Sequence, residues 1–197
     1  MYPGLIPIIL TPKILARDGF NGADNPSSLG YLETGQPWTT INAVTWGRSG
    51  GRAYISAGTG TLGYAVCEAG RADVKTSLDA YFATNNQAAL AFRNDGTANN
   101  VFRLILSELN DRIILAKKVG GGSTAVLSTV MYTLVNGTKY TLKVISKGSR
   151  ILCFVNNVQL IEYYDSDLST LTKCGMQTYC AAATPTSTFD NFKVEAA

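Results

Sequence analysis

The chain has 197 residues, 46% of them apolar and 16% charged, a composition that suits one domain with a sizeable core and excludes a disordered polymer. Lys and Arg number 17 against 14 Asp and Glu, and the basic residues are scattered along the chain, which argues against a nucleic-acid surface. Histidine is absent, so a Ser-His-Asp triad, a Cys-His dyad, a His-ligated zinc and a histidine pH switch are excluded together.

The opening stretch, Met1 to Ala16, is apolar but broken by Pro3, Pro7 and Pro12, so it cannot run as one helix. It falls short of the ~20 residues of a membrane span, and no basic region precedes it as a secretory signal requires. We expect no membrane insertion, and synthesis in the cytoplasm without a signal peptide. Residues 1–17 read as an extended arm and 18–197 as a β-sandwich domain. The arm is either an edge strand of that domain or, given Leu5, Ile6, Ile8, Ile9, Leu10, Ile14 and Leu15, an oligomerisation peptide; a homo-oligomer, a trimer by preference, is the expectation.

Farther along, Ala72 to Phe82 alternates apolar and polar residues with the two-residue period of a half-buried strand. Val101 to Leu109 and Arg112 to Val119 are apolar on both faces, as in central strands, and Asn110-Asp111 supplies the turn between them. Thr138 to Lys147 and Arg150 to Asn156 make a second hairpin closed around Gly148, and Asn157 to Tyr164 follows an Asn-Asn turn. Ser166 to Thr172 has the caps for a single helical turn. The 19 glycines space these runs apart and form no phosphate-binding loop. Cys67, Cys153, Cys174 and Cys180 fit neither a CxxC metal pair nor a disulfide scaffold; buried thiols are expected, with Cys174 and Cys180 the pair near enough in sequence for a local bridge. Many short strands without an amphipathic helix describe an all-β, antiparallel two-sheet sandwich of the jelly-roll kind.

Several segments carry a family likeness. Asp18-Gly-Phe20-Asn21, Leu29-Gly30, Thr34-Gly35, Trp38, Trp46 and Gly51-Arg-Ala-Tyr-Ile55 resemble the opening of concanavalin A-like, laminin-G-like jelly-roll modules. Ala91-Phe-Arg93 with Asn99-Asn-Val-Phe102, Gly137 to Val144 with Val155-Asn-Asn157, and Phe189 to Val194 are similar to their later strands. The resemblance implies that the last strand pairs with the first. The proline-punctuated head ahead of such a module also resembles small bacteriophage tail, baseplate or fibre proteins, which implies a virion or other extracellular assembly and contacts with other virion proteins.

Glycan-hydrolysing members of this family carry Glu-x-Asp-x-Glu on one strand, because alternate side chains enter the same cleft. No such run occurs: Glu108 and Asp111 would face opposite ways, and Asp165 and Asp167 lack a third carboxylate. A non-catalytic module that binds a cell-surface polysaccharide or host-surface glycan is the expectation, with a purely structural virion adaptor or decoration protein as the alternative. Sugar recognition asks for flat aromatic faces beside amides and charges. Trp38, Trp46, Tyr54, Tyr81, Tyr163, Tyr164 and Tyr179 supply candidate faces, although each also suits core packing, and Arg93, Asp95 and Asn99 supply polar groups. The family likeness further implies calcium where the first and last strands meet, held by Asp18, Asp24 and Asp190 with Asn21 and Asn191 nearby. Ordinary turn and strand-end hydrogen bonding explains the same residues without a metal.

Overall fold

A computed structural model describes residues 12–58, 60–82, 87–107, 111–180 and 187–197. Fifteen strands, numbered in chain order, and no helix are found among the described residues, and every ladder is antiparallel. One sheet runs β13 (Val158–Tyr164), β12 (Arg150–Val155), β11 (Lys139–Lys147), β6 (Val74–Tyr81), β15 (Thr188–Ala196), β4 (Arg52–Ala57) and β3 (Thr45–Ser49), with β1 (Ile14–Asp18) also on β15. The other runs β10 (Ala125–Met131), β9 (Arg112–Lys118), β8 (Val101–Ser107), β7 (Gln87–Asn94), β14 (Lys173–Cys180), β5 (Thr61–Glu68) and β2 (Thr39–Ile41). This is the two-sheet sandwich expected from the periodicity.

Alternation dictates the layers. In β11 every second residue, Tyr140, Leu142, Val144 and Ser146, is buried, so one face meets the core and the other meets water. In β8 all seven residues are buried, the sign of a central strand covered on both faces. The hairpins turn where the sequence allows positive φ: Asn156 and Asn157 both adopt it (50° and 65°) in the two-residue loop joining Val155 to Val158. Aromatic pairs fill the space between sheets, with Trp46 and Phe189 ring centroids 5.9 Å apart and Phe92 and Phe102 5.4 Å apart. At ~1.5–3 kcal/mol for each large apolar side chain fully buried, this layer is the main support of the fold.

The first and last strands pair as the family likeness implies, Ala16 opposite Val194 and Asp18 opposite Phe192. The sheet therefore begins at Ile14, ahead of Asp18; Leu5, Ile6, Ile8, Ile9 and Leu10 of the expected oligomerisation arm lie outside the described residues. Two local expectations need correction. Ser166 to Thr172 makes successive tight turns, through Ser169 N–H to Ser166 carbonyl and Leu171 N–H to Leu168 carbonyl, because Leu168 takes a positive φ of 55° that no helix continues through. A local Cys174–Cys180 bridge is incompatible with β14: six residues of extended strand separate the two Cα atoms by ~20 Å, far beyond the ~7 Å a disulfide spans. Cys174 is a free buried thiol opposite Cys67 on β5, and burial pushes its pKa up to about 11.

Candidate functional site

The outer face of the seven-stranded sheet is unusual for a surface. Its register places Val66, Gly175, Ala91, Arg103 and Ala116 in one row across the strands, and Tyr64, Gln177, Ala89, Ile105 and Ile114 in the next. Their apolar members form two clusters separate from the main core, so this sheet is apolar on both faces. Small residues keep the middle of the face low. Gly175 is obligatory there, since a Cβ would lie 2.0 Å from the Ala65 carbonyl oxygen of β5.

On this floor lies a cavity of about 250 Å³. Tyr64, Leu62 and Tyr179 give it apolar and aromatic faces, and Asn42, Thr61 and Thr124 give it amide and hydroxyl groups. Arg103, only 3% exposed, stands in its wall; one terminal nitrogen donates to Thr124 Oγ1 at 2.9 Å and the other to the Tyr64 hydroxyl at 3.4 Å, while the buried Nε has no partner among the described residues. Lys118 stands beside it, and among the described residues no carboxylate lines the cavity. Gln177, wholly buried in the row behind, has neither amide atom hydrogen-bonded among the described residues. Burial raises the Tyr64 phenol pKa even with Arg103 beside it. Buried polar groups without partners cost folding free energy, so a sheet face that keeps several of them is under some demand other than stability.

A second concavity, about 510 Å³, opens on the outer face of the eight-stranded sheet beside the β15 irregularity at Asp190–Lys193. Its charges are satisfied from within. Asp79 accepts hydrogen bonds from Thr141 Oγ1 at 2.6 Å, Asn191 Nδ2 at 3.1 Å and Lys139 Nζ at 3.2 Å. Burial works to raise its pKa, but these donors outweigh burial and hold it below the usual carboxylate value. Glu33 is paired with Arg17 at 2.8 Å and also accepts from Gly19 N–H.

The residues singled out from sequence do not gather into one site. Trp38 and Trp46 are core rather than surface platforms: Trp38 packs between Phe20 and Phe192, and Trp46, 1% exposed, lies against Phe189. Tyr81 is half-buried beneath the Arg52 guanidinium, 3.4 Å from its ring centroid; Tyr54 is half-buried on β4, and Tyr163 packs at the margin of the core. Arg93 is buried and ties two loops together through the Asp165 and Gly148 carbonyls. Asp95 folds its own loop, accepting from Thr97 and Asn100, and Asn99 is exposed on that loop. The loop does wall the cavity, but through Ala98.

The expected calcium ligands serve separate duties. Asp18 accepts from Trp38 Nε1 and from Phe20 N–H, both at 2.7 Å, and burial raises its pKa despite those bonds. Asp24 caps the Ser49–Gly50 turn, and Asp190 accepts from Asn191. Among the described residues no group of three or more acids or cysteines converges. Asp165 and Asp167 share the Lys117 ammonium at 2.6 and 2.7 Å, and Glu108 lies outside the described residues. Sequence reasoning missed Arg103. Its signal was present: a lone Arg between Phe102 and Leu104 in an otherwise apolar strand, on the face opposite both.

Solved structures share this architecture. The carbohydrate-binding module CBM66 from Bacillus subtilis matches with a TM-score of 0.69 at 22% identity, over 81% of this chain and 95% of that one. A protein of unknown function with a galectin-like fold from the same organism matches at 0.66 with 13% identity, over 94% and 97%. Domain 4 of AbnA, an extracellular arabinanase from Geobacillus stearothermophilus solved in complex with arabinotriose, matches at 0.59 with 12% identity, over 94% and 93%. At these identities the likeness is one of fold, a galectin-like jelly-roll sandwich. No protein-family model matches the sequence, and neither does any curated protein.

Proposed function

We propose that the chain is a non-catalytic carbohydrate-recognition module that holds a polysaccharide segment in the cavity over the seven-stranded sheet. The observation that carries this reading is a concavity in which the aromatic and apolar faces of Tyr64, Leu62 and Tyr179 stand beside Arg103, Lys118 and uncharged amide and hydroxyl groups on an apolar sheet face. A sugar ring offers C–H groups to surfaces such as Tyr64, Leu62 and Tyr179 and hydroxyls to Asn42, Thr61 and Thr124. The carbohydrate-binding module and the arabinotriose-bound domain among the structures of like fold support the same reading. With no carboxylate lining the cavity among the described residues, neither the acid nor the nucleophile of glycoside hydrolysis stands beside a bound sugar.

The test is a polysaccharide panel followed by the double variant Asn42→Ala, Thr124→Ala, whose side chains are exposed. Binding of at least one polysaccharide that falls about tenfold or more in the variant, with no reducing ends released, supports the assignment. A panel without any ligand, or affinity unchanged by the variant, refutes it.

The setting we propose is an extracellular assembly such as a phage particle, on the strength of the proline-punctuated head and the charge-poor composition. A second reading, a structural component that contacts its neighbours, is favoured by one flank of the sandwich. There the edge strands β10 and β13 carry exposed Val126, Met131, Val158 and Tyr164 beside unpaired backbone groups. A sedimentation mass above the monomer that falls on Val126→Lys, Met131→Lys substitution would favour it.

A further inference from the structure

We infer that the saccharide recognised by this cavity is anionic, carrying a carboxylate or sulfate that docks against Arg103 and Lys118; this rests on the carbohydrate-binding reading and deepens it. The guanidinium of Arg103 is almost wholly buried, yet its described partners are two neutral hydroxyls, Tyr64 and Thr124. Lys118, the second cation of the wall, likewise makes no ion pair among the described residues. Lys117 lies between Asp165 and Asp167, and Glu195 between Lys75 and Lys193, whereas Arg93, the other buried arginine, engages the Asp165 and Gly148 carbonyls with its two terminal nitrogens and lines neither cavity. A buried cation without a counter-charge is costly, and two side by side repel each other, so the arrangement is unfavourable until an anion enters.

The geometry suits an anionic substituent on a sugar better than a free ion. Arg103 has its terminal nitrogens held by Thr124 and Tyr64 and its Nε enclosed, so its guanidinium plane is fixed before ligand arrives. A guanidinium presents parallel N–H groups to the two oxygens of a carboxylate, and a sulfate meets the same donors. The cavity extends beyond the cations to Leu62, Tyr179 and Asn42, giving an apolar and amide-bearing surface on which the rest of a sugar ring can lie. A neutral sugar would use that surface and leave Arg103 and Lys118 uncompensated.

Calorimetric titration of the full chain with a hexuronate oligosaccharide, its carboxyl-reduced counterpart and a sulfated oligosaccharide tests the inference. The expected result is binding to the hexuronate or the sulfated ligand at least about tenfold tighter than to the carboxyl-reduced one, and weaker as salt is raised. Whichever charged ligand binds more tightly identifies the anion. Arg103→Met is expected to abolish the preference while leaving the melting temperature within a few degrees, and Lys118→Ala to reduce it; the wild-type comparison needs neither variant to fold. Equal affinity for charged and carboxyl-reduced ligands overturns the anionic assignment while leaving carbohydrate binding intact. Binding to none of the three, with a neutral polysaccharide bound elsewhere in a panel, also overturns it; silence toward every glycan overturns the functional reading as well.

Discussion

The outer faces of the two sheets hold their polar groups in opposite surroundings. On the eight-stranded sheet, Asp79, Lys139, Thr141 and Asn191 satisfy one another, and Arg17 and Glu33 do the same, so the larger concavity is chemically closed. On the seven-stranded sheet, the buried Arg103 meets only two neutral hydroxyls and Lys118 makes no ion pair among the described residues, so the smaller concavity carries charge that its own lining does not balance. Size alone does not separate the two. A satisfied network contributes to stability, whereas an unsatisfied one is a cost that ligand binding can offset.

The sharpest break between the faces comes from deletion. Asp79→Ala leaves three donors without their acceptor and is expected to lower stability by about 1–3 kcal/mol in urea unfolding at neutral pH. Arg103→Met removes an uncompensated buried charge and is expected to cost less than about 1 kcal/mol or to stabilise. Equal losses from the two substitutions would erase the distinction.

Acid titration sharpens it further. Asp79 has its folded pKa held below the ordinary value of 3.8, so its stabilisation is present above that value and is lost as pH falls through the folded pKa. The gap between wild type and Asp79→Asn should therefore close below about pH 4. Asp18 behaves oppositely, because burial raises its pKa: the cost of its charge is felt above the raised value and fades as pH falls. A stability difference at Asp79 that persists unchanged into strong acid would contradict this assignment.

The smallest expected effect is that of calcium. With Asp18, Asp24 and Asp190 each engaged in its own local hydrogen bonds, millimolar calcium or a chelator should leave the melting temperature where it was. A rise that follows calcium concentration would show that these acids, or residues outside the described ones, form a cage after all.

The sheets were legible in the sequence because strand alternation and turn chemistry are local signals. Val74–Tyr81, Arg112–Lys118 and the Asn156-Asn157 turn fall where the two-residue period and the Asn pair put them. The pairing of the last strand with the first was legible only through the family likeness, since no local pattern links Asp18 to Phe192. Of the candidate site, Tyr179 alone was among the aromatic faces the sequence offered. Aromatic residues drew attention, but whether a Trp faces sugar or core depends on which face its strand buries, and Trp38 and Trp46 face inward. Arg103 passed unnoticed because Val101–Ser107 reads as apolar on both faces, and a single charge there gains meaning only when β7, β9 and β14 bring Ala91, Ala116 and Gln177 around it.

Backbone amide shifts of the labelled protein, followed during titration with a polysaccharide it binds, locate the binding face. Perturbations are expected to centre on Leu62, Tyr64, Arg103, Lys118, Thr124 and Tyr179, with Asp79, Thr141 and Asn191 unmoved. Perturbations centred on Asp79, Thr141 and Asn191, with the Arg103 face silent, would contradict this placement.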